Sequence, residues 1–148
     1  MDFTRALDST AKIFKDSIIP KISEYIRIPN KSPMFDADWQ ANGFMEKATR
    51  QFADWAEGQS IAGMKVDIVR LGNRTPLIFI EIDGEGDDAV LMYGHLDKQP
   101  EMTGWDDDLG PWKPVVKGDR LYGRGGADDG YALFGSLTAI AALKAQNI

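Results

Sequence analysis

A chain of 148 residues with 43% hydrophobic content has the size of one ordinary domain and enough apolar material for a core, which excludes general disorder. Its formal net charge of −6 supplies no basic footprint, so nucleic acid and an anionic membrane surface are poor partners. The absence of cysteine removes disulfides, thiolate zinc sites and thiol catalysis, and neither a signal peptide nor a bilayer-length apolar run is present, so a cytoplasmic location is the expectation.

In chain order, Phe3, Leu7, Ala11, Phe14, Ile18, Ile22, Tyr25 and Ile26 recur mostly at three- and four-residue steps, the stripe of an amphipathic helix. Pro20 should kink it, and Pro29 and Pro33 should stop it by Ile28. A second helix is predicted over residues 38–57, capped by Asp36 or Asp38, with Phe44, Ala48, Phe52 and Trp55 on one face and Gly58 as its stop. The period then changes to that of strands. Met64–Val69 alternates and Leu77–Ile82 is β-branched and apolar, with Gly72 and Asn73 marking the turn between them.

Asp83-Gly84-Glu85-Gly86-Asp87-Asp88 lacks the spaced ligands and closing glutamate of a calcium loop and reads as a hairpin turn. The next run, residues 89–93, has the continuous hydrophobicity of an interior strand covered on both faces, and its C-terminal end delivers His95. Arg120-Leu121-Tyr122 reads as a short strand. Residues 131–146 read as a helix, with Leu133, Leu137, Ile140 and Ala141 buried and Asp128 or Asp129 as cap. The fold class is therefore α/β, with helices packed on a mixed β-sheet. No internal repeat or low-complexity segment interrupts it. The last helix runs on without a C-cap glycine or closing turn, which suggests the front portion of a longer protein.

His95 is the single histidine, so any imidazole chemistry belongs to Gly94-His95-Leu96-Asp97. At a strand end, residues two apart share a side, which lets Asp97 take the second ring N–H of a metal-bound His95 or act as a ligand itself. In Gly123-Arg124-Gly125-Gly126-Ala127-Asp128, an aspartate occupies the position of the third glycine of a dinucleotide fingerprint; it would repel a pyrophosphate and suits a cation. Such an aspartate can bridge two metal ions roughly 3.5–4 Å apart. Each feature alone also has a plain structural meaning: His-x-Asp as a strand-end hydrogen bond, Asp128-Asp129 as a helix cap, and Trp105 and Trp112 as loop packing beside Pro100, Pro111 and Pro114.

The order of these features narrows the choice. An apolar run ending in Gly94-His95-Leu96-Asp97, a Trp- and Pro-rich loop, and Leu121-Tyr122-Gly123-Arg124-Gly125-Gly126-Ala127-Asp128-Asp129-Gly130 opening a helix resemble the dinuclear zinc aminoacylase and carboxypeptidase superfamily. His95 to Pro100 and Gly104-Trp105-Asp106 look most like its carnosinase-type dipeptidases. The resemblance covers essentially the whole chain, with its specific motifs in residues 90–131.

It implies the incomplete N-terminal portion of a three-layer α/β/α catalytic domain, without the lid and dimerisation domain or the C-terminal half. His95 would be a ligand of one zinc and Asp128 the bridge between two zinc ions. Asp97 would be the catalytic-site carboxylate that orients His95, and Asp129 would follow a typically cis peptide bond as a helix cap. Gly130-Tyr131 departs from the family's usual Lys-Gly after the aspartate pair.

The implied activity is metal-activated hydrolysis of dipeptides or small N-acyl amino acids, with a small peptide substrate and a homodimer as the complete enzyme. The chain by itself lacks the general-base glutamate and the remaining ligands, so it should be inactive, bind zinc weakly or not at all, and self-associate. The alternatives are an N-acyl amino acid deacylase of the same superfamily and a non-catalytic binding module on this fold.

Overall fold

The computed structural model describes all residues, Met1–Ile148. Helix α1 (Phe3–Ile13) is capped by Asp2, whose side chain accepts the Arg5 N–H, and passes through a π-helical turn at Phe14–Ile18 into α2 (Ile19–Ile26). Pro20 offers no N–H, and the backbone widens just before it, the Ile19 N–H reaching the Phe14 carbonyl. The kink expected at Pro20 is thus spread over the preceding turn, and α2 ends at Ile26.

The second predicted helix is broken in two, α3 (Trp39–Asn42) and α4 (Phe44–Glu57). Gly43 stands between them at φ +71°, and neither Asp36 nor Asp38 caps the long helix. Asp36 instead accepts from the Asn42 side chain, and Asn42 Oδ1 accepts the Phe44 N–H. Strands β1 (Met64–Val69) and β2 (Leu77–Ile82) form the antiparallel hairpin expected, in register from Met64 opposite Ile82 to Val69 opposite Leu77.

Residues 89–93 are not a strand. They have no ladder partner, and Val90, Leu91 and Tyr93 are more than four-fifths exposed, because no other strand of the chain lies alongside. Asp83 to Asp88 therefore closes no hairpin. β3 (Val115–Lys117), unforeseen, pairs antiparallel with β4 (Arg120–Tyr122), the short strand read from sequence. Parallel pairing is confined to a single bridge between Lys31 and Lys98.

Helix α5 (Tyr131–Lys144) has no side-chain cap at its start, so neither Asp128 nor Asp129 plays that part. At its other end the backbone does close: Asn147 adopts φ +56° and the Ile148 N–H reaches the Leu143 carbonyl.

The chain is α/β. Its core joins α2, α4 and α5 through a buried aromatic row, Tyr25, Phe52, Phe134 and Trp55, with neighbouring rings 4.6–4.9 Å apart. Phe134 is more fully buried than any residue of the stripe predicted for α5. The apolar alternation of β1 and β2 packs one side of the hairpin on α4. This core places the end of α2 against the Leu96–Lys98 segment and the start of α5 against Gly94.

Candidate metal centre

The structure brings the three sequence-predicted residues together in a line. His95 Nδ1 lies 3.1 Å from the Asp97 carbonyl and 3.2 Å from Asp97 Oδ1, and His95 Nε2 lies 3.3 Å from Asp128 Oδ1. With its Nδ1 proton given to Asp97, the imidazole would present the Nε2 lone pair toward Asp128. The His95 and Asp97 side chains are about two-thirds buried, while Asp128 is 60% exposed, so the line opens to solvent at its carboxylate end.

The Asp128–Asp129 peptide bond is cis. Asp128 and Asp129 leave helical geometry, at φ −118° and −130°, so the loop Gly126–Gly130 aims their side chains separately. Asp128 faces the imidazole. Asp129 Oδ2 accepts the backbone N–H of His95 at 3.2 Å, which corrects its expected role as helix cap. Gly94 permits this approach: a Cβ there would lie 2.5 Å from the Ala132 Cβ and 3.1 Å from Asp129 Oδ2.

Three further residues brace the site, and their part in it carries no local sequence signal, because their contacts span about seventy residues. The Leu96 carbonyl accepts the Tyr25 hydroxyl at 2.6 Å and Asn30 Nδ2 at 2.7 Å. Lys98 is buried with its ammonium against the carbonyls that end α2. Burial pushes the Tyr25 phenol far above its ordinary pKa, and the carboxylates of Asp97, Asp128 and Asp129 add to the rise. Burial also pushes Lys98 down to about 7, against which the carbonyls around it favour the charged form. Trp105 packs in its loop, donating to the Glu101 carbonyl.

His95 Nε2 and Asp128 Oδ1 are a borderline nitrogen and a hard oxygen 3.3 Å apart, a donor pair of the chemistry that zinc takes. No third imidazole or carboxylate joins them in a ligand set, whereas a catalytic zinc has three protein ligands as a rule. The residues present fit one edge of a coordination sphere.

The sequence of this region has known counterparts. Residues 91–148 match peptidase family M20/M25/M40. An uncharacterized metallohydrolase of Methanocaldococcus jannaschii is 28% identical over 135 residues, covering 85% of this chain and 32% of that protein. The succinyl-diaminopimelate desuccinylase of Gluconobacter oxydans is 44% identical over 54 residues, 36% of this chain and 13% of the relative. A protein named as a dipeptidase in Staphylococcus saprophyticus is 35% identical over 65 residues, 44% of this chain and 13% of the relative.

The chain thus spans about a third or less of the length of these relatives. The resemblance to the zinc aminoacylase and carboxypeptidase superfamily stands, and the names on all three relatives are those of hydrolases. No helix is long and apolar enough to cross a membrane.

Proposed function

We propose that this chain supplies the first half of the metal centre of a zinc-dependent dipeptidase or exopeptidase that hydrolyses the amide bond of dipeptides or small N-acyl amino acids. The observation that carries this reading is the line Asp97, His95, Asp128, in which the Asp97 main-chain carbonyl, with its carboxylate beside it, backs one ring nitrogen and the Asp128 carboxylate faces the other. Zinc, when bound, supplies Lewis-acid polarisation of the scissile carbonyl and a water acidic enough to deprotonate near neutral pH. His95 and Asp128 would hold it. Asp97 keeps the proton on Nδ1, so that Nε2 stays a donor to the metal. Asp129 fixes the backbone of His95 so that the ring does not swing away from Asp128.

With one imidazole and one facing carboxylate, the isolated chain should bind zinc weakly and turn over no substrate. In the intact gene product that contains it, we expect bound zinc and hydrolysis of dipeptides. Metal analysis together with a dipeptide assay tests this; absence of both metal and turnover would leave a binding module on the same fold. The desuccinylase relative favours a second reading, deacylation of N-acyl amino acids. Rates measured side by side on a dipeptide and on succinylated and acetylated amino acids separate the two, and a large preference for the acyl substrates would replace the dipeptidase reading.

A further inference from the structure

Both acidic loops rest on one buried pair, Lys98 and Tyr25. Lys98 is 1% exposed and has no carboxylate partner. Its Nζ donates to the carbonyls of Tyr25 and Ile28, both at 2.7 Å, where α2 ends, and sits 3.8 Å from the centroid of the Tyr25 ring. Carbonyls at a helix C-terminus carry partial negative charge and lack intrahelical donors, so an ammonium is well matched to them.

The backbone of this residue is held as firmly as its side chain. The Lys98 N–H donates to the Asn30 carbonyl at 3.0 Å, the Ser32 N–H donates to the Lys98 carbonyl at 2.9 Å, and Leu96 is held by Tyr25 and Asn30. On the opposite side, the loop that carries Asp128 is seated at both of its ends. A Cβ on Gly125 would meet Lys98 Cε at 2.5 Å, and a Cβ on Gly130 would meet Tyr25 Cε1 at 2.4 Å. The two side chains that anchor the His95 loop are therefore the surface on which the Asp128 loop lies.

We propose that Lys98 is a positioning residue that sets the separation of His95 and Asp128 by seating both of their loops on the C-terminal end of α2. This rests on the metal-site reading for its functional meaning, while its geometric content is independent of it. A lysine that merely capped α2 would, on removal, cost stability and leave the His95 ring where it is. A positioning lysine would let the two loops drift apart, because an apolar replacement leaves the Ile28 carbonyl buried without a donor and the Tyr25 carbonyl with main-chain donors alone, so that water or a shifted loop must reach them.

The test uses the 148-residue chain, in which the single histidine gives one pair of ring-nitrogen signals. Wild type, Lys98→Met and the exposed control Lys47→Met are followed by nitrogen NMR of the His95 ring, first free of metal and then during titration with zinc sulfate, with circular dichroism reporting the fold. We expect wild type and Lys47→Met to agree. Lys98→Met, still helical, should show shifted ring signals before any zinc is added and a zinc affinity lower by roughly tenfold to a hundredfold, the loss typical of a partner that orients a ligand.

If Lys98→Met does not fold, Lys98→Gln, which keeps two N–H donors, is read in its place and should show a smaller change in the same direction. Ring signals and affinity equal to wild type in a folded Lys98 variant would overturn the proposal, as would failure of both variants to fold. Zinc binding by wild type too weak to titrate leaves the metal-free ring signals to judge Lys98, while the metal reading stands or falls on metal analysis of the intact gene product.

Discussion

The carboxylate of Asp129 accepts the backbone N–H of His95 at 3.2 Å, joining the loop ahead of α5 to a segment 34 residues earlier. The bond reaches the histidine's main chain rather than its ring, so Asp129 positions the imidazole without competing for it. Asp129→Ala should lower stability by about 1 kcal/mol and broaden the His95 ring signals, while Asp129→Asn, which retains an acceptor oxygen, should stay near wild type. Urea unfolding and NMR of the ring check both. Equal effects from the two substitutions would show that the acceptor is not what counts.

Gly94 is where the same junction has no room. Gly94→Ala should destabilise by about 1–3 kcal/mol, because the new methyl would meet Ala132 Cβ at 2.5 Å. Ala132→Gly in the same chain should recover part of that loss. A double-mutant cycle read by urea unfolding gives the coupling directly.

Alkaline pH should weaken the fold through Tyr25. Its folded pKa is raised above the unfolded value, by burial first and by Asp97 next, so its contribution is fully present below about pH 10 and is lost as pH rises beyond it. The slope from this group approaches about 1.4 kcal/mol per pH unit there. Tyr25→Phe should have a shallower decline between pH 10 and 11 in denaturant melts, at the cost of the hydroxyl bond to Leu96.

Phe52 stands between Tyr25 and Phe134 with no exposed surface. Truncation removes ring contacts on both sides, and Phe52→Ala should cost about 3–5 kcal/mol, a large part of the stability of a domain this size. Circular dichroism melts should show a sharp loss or an unfolded chain. Phe14→Ala, at a position more than half exposed, serves as the contrasting measurement and should change little.

The bare segment at residues 89–93 predicts self-association, since Val90 and Leu91 expose apolar side chains beside unpaired backbone. Light scattering on the chain should find oligomers that grow with concentration. Leu91→Lys should shift the distribution toward monomer without changing the melting midpoint.

Local pattern was enough to foresee the helices at both ends, the β1–β2 hairpin and the short strand at Arg120–Tyr122, because amphipathic spacing and β-branched alternation are properties of a few neighbouring residues. The same holds for the candidate site: a lone histidine, an aspartate two residues on and a glycine-rich Asp128 loop are each visible in the sequence. The break at Gly43 was harder to read, since one glycine in a helical stripe costs only about 1 kcal/mol relative to alanine and does not by itself end a helix. Only the tertiary structure decided the rest. Residues 89–93 have the composition of an interior strand, but a strand exists only where a neighbour supplies its hydrogen bonds, and none lies beside them. Asp129 turned from helix cap to support for His95, and Lys98 from one member of the His95–Pro100 run to the seat of both loops, because those contacts join residues 34 to 73 positions apart. Sequence determined which chemistry this chain can offer; the seating of the Gly126–Gly130 loop on α2 and Lys98 decided that His95 and Asp128 meet.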